Sequence, residues 1–264
     1  MESLRLLKLE TRNAFMNMAV DEAILTARTI DRASNTLRLY QWNPAAVSIG
    51  KNQQAENEAN LENCRKLGVS VVRRISGGGT VFHDSRGEVT YALIAKTSNI
   101  NAKDSLAVYT KVYLGIKDAL RILGITADFN VGDEKNCPNL TVKGKKISGS
   151  AQTCKRDIIL QHGTLLLDVD LAKMFTVLRV PWAKTCMEVV NVAKNRITSV
   201  KNEVGHAVSA ETAGNALAVG FKNALTLQPI EGELTNYETE LAEKLYREKY
   251  ATDEWNLHGK SILF

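Results

Sequence analysis

The stretch Arg73-Arg74-Ile75-Ser76-Gly77-Gly78-Gly79 concentrates more chemistry than any other part of the chain. Consecutive glycines admit backbone conformations and close approaches that a Cβ forbids. Their N–H groups can line an anion. An arginine fork beside them suits a phosphate or a carboxylate. The same residues also suit a tight glycine-rich hairpin with two solvated arginines. The spacing is neither a Walker loop, which needs a terminal Gly-Lys-Ser/Thr, nor a dinucleotide fingerprint. Lys146 is the second feature. It stands where the turn Lys143-Gly144-Lys145-Lys146 meets the run Ile147-Ser148-Gly149-Ser150-Ala151. A strand of small residues leaves room for a ligand against its backbone. An ammonium there can stabilise charge developing on an acyl or phosphoryl oxygen. A solvated basic hairpin tip is the plainer alternative. Cys137 lies in the polar loop before this hairpin, and a thiol near cations can act as a nucleophile. His83 can simply bond Asp84 or backbone. His162, in an apolar run, reads as a satisfied core histidine.

The elements that must position these groups follow from periodicity. Leu4 to Leu9 reads as an edge strand, and 17–29 as a helix with an apolar stripe of Met18, Ala19, Ala23 and Ile24. Strands are expected at 36–41 and 46–49, and a helix at 57–67 that ends at Gly68. A strand leads into the arginines, and the apolar Val81-Phe82 can re-enter a sheet. Glu88–Lys96 reads as a buried strand. Residues 104–123 form a helix with Leu106, Tyr109, Val112, Ile116 and Leu120 on one face, stopped by Gly124. Strands are expected at 140–142, 147–151 and 158–168. Ser209 caps a helix to about Leu225. Thr235-Asn236-Tyr237-Glu238 fits a capping box that opens a helix to Tyr250. Strands with short connections followed by clustered helices favour a mixed, largely antiparallel α+β fold over a doubly wound parallel sheet.

The chain has 264 residues, 44 % apolar and 24 % charged, which supports a folded domain with a substantial core. Residues 1–264 read as one domain, without repeats or linkers. Net charge is +5, mild enough to suit an anionic ligand or an acidic protein partner. Nucleic-acid binding expects clustered cations with interleaved aromatics, and only the 143–146 turn is strongly basic. The four cysteines have no CxxC spacing, which excludes zinc-finger and thioredoxin-like readings. Without a signal peptide they read as reduced thiols in a cytoplasm. No apolar run approaches the ~18–20 residues of a membrane span.

In combination, Arg73-Arg74-x-Ser-Gly-Gly-Gly-x-Val81-Phe-His83-Asp84, Gly-x-Lys-Lys146-Ile-Ser148-Gly-Ser-Ala and His162-Gly-Thr-Leu resemble the lipoate-protein ligase A family. Asn17-Met18-Ala19-x-Asp21-Glu22, Ser48-Ile49-Gly50-x-Asn52-Gln53 and Lys249-Tyr250…Trp255-Asn256 fit it too. The matches run in family order over nearly the whole chain. The resemblance implies the α+β fold of biotin and lipoate ligases, shared with class II aminoacyl-tRNA synthetases. It implies activation of lipoate (or octanoate) with ATP to an acyl-adenylate, then transfer to one lysine of an acceptor domain. The acceptors it implies are 2-oxoacid dehydrogenase E2 and glycine-cleavage H proteins.

Carried over by position, the resemblance implies that Arg74, Gly77, Gly78, Gly79, Val81, His83, Ser148 and His162 bind lipoyl-adenylate or ATP. Lys146 would bridge the acyl carbonyl and the α-phosphate. The apolar tail would need a slot near Val72 and His162. Mg²⁺ would neutralise the phosphates, held by Asp84 or by ligand oxygens. A sister branch of acyltransferases shares the fold and the lysine, needs no ATP, and takes octanoyl or lipoyl groups from a carrier protein through a cysteine thioester. On that alternative Cys137 is the nucleophile; on the ligase reading it has no use. The Arg-Arg-x-Ser-Gly-Gly-Gly form favours the ligase. Since only eight residues follow Asn256, the ligase reading also expects a separate small accessory subunit, with Ser261–Phe264 as its docking strand.

Overall fold

The structure, a computed structural model, describes residues 3–133 and 137–260. Along the chain the first elements are β1 (Leu4–Arg12), α1 (Ala14–Arg28), β2 (Thr36–Trp42), β3 (Ala46–Ile49), α2 (Ala55–Glu58) and α3 (Leu61–Lys66). β4 (Ser70–Arg73), β5 (Val81–His83), β6 (Glu88–Lys96) and α4 (Ser105–Ile122) follow. Next come β7 (Asp128–Asn130), β8 (Asn139–Val142), β9 (Lys145–Lys155) and β10 (Ile158–Leu166). The last part holds α5 (Leu171–Val177), α6 (Cys186–Ala193), α7 (Val200–Val204) and α8 (Ala210–Leu225). β11 (Pro229–Glu231), α9 (Asn236–Leu245) and α10 (Asp253–Asn256) close it.

The large sheet has the order β11-β1-β2-β6-β10-β9-β8-β7. Its pairings are antiparallel except β11-β1 and β1-β2. β6 is buried along nearly its whole length because both faces of the sheet are covered. Val89, Tyr91, Leu93 and Ala95 face the core under α4 and α8. Ala92 and Ile94 face the opposite core, under α1 and α9. A second sheet, β4-β3-β5, packs with α2, α3 and α5 around Val47, Ile49, Phe82 and Val177. The mixed, largely antiparallel α+β architecture is therefore the observed one.

Several local expectations change. β1 is not an edge, because the three-residue β11 pairs with it in parallel; so short a strand leaves no periodic signal. The helix expected at 57–67 is two short ones. Ala59 is extended between them and bridges Leu178, while the Asn60 N–H bonds the Val177 carbonyl at 2.8 Å. Tertiary pairing overrides helix continuity there. Leu106 is 48 % exposed rather than in the core. Past Leu245, α9 passes into a π turn over Tyr246–Tyr250. The capping box at Thr235 and Glu238 forms as expected. The tail Ser261–Phe264 lies outside the described residues.

The two helices over the outer core touch at glycines. A Cβ on Gly220 would stand 2.1 Å from the Gly115 carbonyl oxygen, whereas one on Gly214 would meet only Leu39 Cδ1, at 3.6 Å. Gly220→Ala should cost roughly 1–3 kcal/mol by forcing α4 and α8 apart. Gly214→Ala should be neutral or stabilising, because alanine is the better helix former. Thermal midpoints of the two variants check this; equal effects would contradict the close approach.

Candidate functional site

β4 and β5 do not form a hairpin. Both pair with β3, one on each side, so the glycine loop between them crosses over the end of that strand. Neither arginine is solvated. Arg73 is buried and its guanidinium bonds the carbonyls of Gly50, Lys51, Gln53, Trp255 and Leu257. Arg74, 4 % exposed, bonds the Ser76 hydroxyl at 3.1 Å, the Ser48 carbonyl and hydroxyl at 3.1 and 3.3 Å, and the Gly77 and Gly79 carbonyls at 2.7 Å each. These five contacts use all five of its N–H donors. The residue expected to grip an anion is instead the pin that shapes the loop. Gly78, at φ +87°, makes the bend that lets both flanking carbonyls face the guanidinium.

Two mirrored polar arms end on Arg74. In one, Ser48 Oγ lies 2.8 Å from His83 Nε2 and His83 Nδ1 lies 2.7 Å from Glu88 Oε1. In the other, Ser76 Oγ lies 2.7 Å from His162 Nε2 and His162 Nδ1 lies 3.0 Å from Asp21 Oδ2. A carboxylate only accepts, so in the neutral ring Nδ1 carries the proton and Nε2 accepts from the serine hydroxyl. Each serine in turn accepts from Arg74. The arrangement resembles a hydrolase triad, but both hydroxyls are committed between a cation and an imidazole. His83 bonds Glu88, not Asp84, and stacks on Trp42 with ring centres 3.9 Å apart. Burial pushes the Asp21 carboxyl up, but the His162 hydrogen bond and the Arg38 charge outweigh it and hold it low. Burial draws Arg74 down to about 10.

These arms form one end of a cavity of about 520 Å³ between the two sheets. Arg74, Gly78, Gly79, Val81, His83, Cys137, Lys146 and His162 all line it. Gly77 and Ser148 do not; the Gly77 carbonyl faces Arg74, and Ser148 is fully buried. Val72 also lies elsewhere, in the core beneath α1. The apolar wall is built by Met18, Phe82, Leu166, Met174, Phe175 and Leu178. Asp84 stands outside, bonded by the Lys173 ammonium at 2.8 Å and by the Arg86 and Gly87 N–H groups. Among the described residues no group of three His, Cys, Asp or Glu side chains could hold a metal ion, and Asp84, the carboxylate expected beside Mg²⁺, is already paired with Lys173. A larger, shallower groove over β1, β11 and α9 holds none of the candidate residues.

Lys146 is held by its backbone. Its N–H bonds the Arg196 carbonyl at 2.8 Å and its carbonyl accepts from Thr198 at 2.9 Å. Its side chain crosses Gly149, where a Cβ would meet Nζ at 2.6 Å. The ammonium makes no hydrogen bond or ion pair within the described residues. Solvent reaches the side chain, yet protein crowds its charged end, and this desolvation lowers its pKa. Charge on the Cys137 sulfur opposes that shift for Lys146 and for Arg74, so the thiol stands near both cations. Its loop is fixed by the Tyr113 hydroxyl, which donates to the Pro138 carbonyl at 2.8 Å. Beside the sulfur, Tyr109 is pushed up to about 12 by burial and by the Cys137 charge.

Sequence reasoning gave no role to Ser48, Asp21, Glu88, Tyr109, Tyr113 or the 196–198 clamp. Ser48 and Asp21 stood inside quoted motifs, which was a signal; the rest had none.

The shifted lysine is directly testable. Competitive acylation followed by mass spectrometry should show Lys146 titrating below the ordinary lysine range. Cys137→Ala should move it lower still, by removing the negative charge that favours the ammonium. An unshifted Lys146 in the unaltered protein would contradict the crowding around its charged end.

Among solved structures, a chain of the bipartite lipoate protein ligase and E2 lipoyl domain system of Thermoplasma acidophilum is similar to this one. It matches at TM-score 0.85 and 30 % identity, covering 100 % of both chains. Lipoate-protein ligase A bound with ATP matches at TM-score 0.85 and 30 % identity, over 98 % of this chain and 100 % of that one. The curated relatives have a different activity. Octanoyltransferase LipM of Kyrpidia tusciae is 38 % identical over 97 % of this chain and 99 % of that protein. The LipM proteins of Brevibacillus brevis (34 %, covering 97 % and 99 %) and Bacillus subtilis (31 %, covering 91 % and 92 %) agree with it. They correct the expectation of an ATP-dependent, AMP-forming ligase, because they are named for transfer of an octanoyl group over almost their entire length. ATP binding remains a property of the ligase neighbour. The matched domain, residues 13–222, spans the cavity and nearly all the groups around it, and the chain belongs to the lipoyl protein ligase A/B catalytic domain family.

Proposed function

We propose that this protein is an octanoyltransferase that moves an octanoyl group from a carrier-protein thioester to a lysine of a lipoyl-domain acceptor, by way of Cys137. The observation that carries the reading is that one apolar-walled cavity holds an accessible thiol, an ammonium with no partner among the described residues and the pinned glycine loop. The LipM relatives supply the acyl group and the E2 lipoyl domain of the Thermoplasma system the acceptor class. In the first step the Cys137 sulfur, as thiolate, attacks the thioester carbonyl. The carrier sulfur leaves and takes up a proton. In the second, the neutral acceptor amine attacks the Cys137 thioester, loses a proton and expels the Cys137 thiolate. Lys146 donates to the carbonyl oxygen as it becomes an oxyanion in both steps. Arg74 holds the loop over the reacting centre, and the eight-carbon chain lies along Phe82, Met174 and Phe175. On this reading the accessory subunit is not required.

The test is transfer from an octanoyl carrier to a lipoyl domain without ATP, followed by intact mass. Cys137 should carry the octanoyl group when acceptor is withheld. Cys137→Ala should abolish the adduct and the product. Lys146→Ala should keep the fold and lose roughly 10²–10³ in rate. The rate should fall at high pH earlier than an ordinary lysine would dictate, since Lys146 loses its proton at a lowered pKa. Undiminished transfer by Cys137→Ala would overturn the proposal.

A further inference from the structure

Residues 178–197 leave the cavity at Leu178 and return to it at Ile197, both of which line it. Between these ends the chain passes Pro181 and Trp182, forms α6 and comes back along Lys194 and Arg196. This arm carries large apolar side chains on its outside: Trp182 is 61 %, Met187 63 % and Val192 38 % exposed. α6 does not need them for its own packing, because Val189, Val190 and Ala193 supply its buried face. None of the three lines the cavity. The arm also exposes Arg179, Lys184, Lys194 and Arg196 against a single exposed carboxylate, Glu188. Glu188 already accepts from the Lys184 backbone N–H at 2.8 Å. The four cations make no ion pair within the described residues. An exposed tryptophan among cations with no carboxylate partner among the described residues, of which only Arg179 is tethered, to the Ala59 carbonyl, has the composition of an interface anchor with a steering rim beside a reaction cavity.

Resting on the acyltransferase reading, we propose that this arm docks the acyl donor, a carrier protein whose acidic, amphipathic surface covers Trp182 and Met187 and pairs with the surrounding cations. Reach favours the donor over the acceptor. A lysine side chain is short, so an acceptor must bring its backbone to the cavity mouth at Cys137 and Lys146. A thioester borne on a long flexible arm reaches Cys137 while its protein sits on a patch set back from the cavity. The excess of positive charge on this arm selects an acidic surface over a basic one.

Trp182→Ala, Lys184→Glu and Lys194→Glu test this singly and combined, with melting curves to confirm folding. Acylation of Cys137 is followed with two donors, the octanoyl carrier protein and a small octanoyl thioester without a protein. The combined variant should raise KM for the carrier by about tenfold or more. It should flatten the salt dependence of that reaction and leave the small thioester unaffected. Transfer from pre-acylated Cys137 to the acceptor should also be unchanged. The docking role is overturned if the carrier KM does not move, if both donors lose equally, or if only the acceptor step slows. If the unaltered protein takes no octanoyl group onto Cys137 from either donor, the acyltransferase reading itself fails and the docking role with it.

Discussion

The buried guanidinium of Arg74 is the constraint on which the site depends. A cation taken out of water needs every donor satisfied, since a lost partner leaves uncompensated charge. Its direct partners come from β3 and the glycine loop, and the two serines among them pass the contact on to other elements. Ser48 lies on β3 and His83 on β5, while Glu88 lies on β6, His162 on β10 and Asp21 on α1. The network therefore joins two sheets with separate cores through one hydrogen-bonded centre. It also sets the path of the glycine loop, because the Gly77 and Gly79 carbonyls must face inward to meet it. Beyond Asp21 the chain of contacts continues through Arg38 to Glu10, which sets the buried Arg38 between two carboxylates.

Much of this was legible in the sequence. β6 and the helix opened at Ser209 come out as read, because their patterns are long and their caps explicit. The strand–glycines–strand arrangement was legible too, while only the family resemblance put Arg74, His83, Lys146 and His162 in one site. What was not legible is the direction in which groups point. Nothing in Arg-x-Ser-Gly-Gly-Gly says whether the arginine faces a ligand or its own loop. That is decided by Ser48, 26 residues away, and by carbonyls whose orientation only the fold determines. For the same reason Asp84 looked available, although Lys173, far along the chain, already holds it.

The choice between ligase and transferase failed for a related reason. The motif that favoured the ligase is a structural lock, and a lock for the loop serves either chemistry. On the proposed mechanism the group that separates the two is Cys137, which sits outside any regular element and has no spacing partner. Its setting comes from Tyr109, Tyr113 and Lys146, brought together by α4 and the β8–β9 hairpin. A lone cysteine in a polar loop carries little signal until those neighbours are in place.

The two cations of the cavity divide the work by how their donors are used. Arg74 is fully engaged and so can fix geometry, but it has no N–H left for a substrate oxygen. Lys146 is the reverse. Its backbone is clamped by Arg196 and Thr198 and its side chain lies over Gly149, so its position is constrained while its donors stay open. Burial disfavours an ammonium that has no hydrogen-bond or ion-pair partner among the described residues. It gains most when negative charge arises beside it, on the Cys137 sulfur or on a carbonyl oxygen under attack. Such an interaction is stronger in the transition state than in the ground state, which is the condition for it to lower a barrier rather than merely tighten binding.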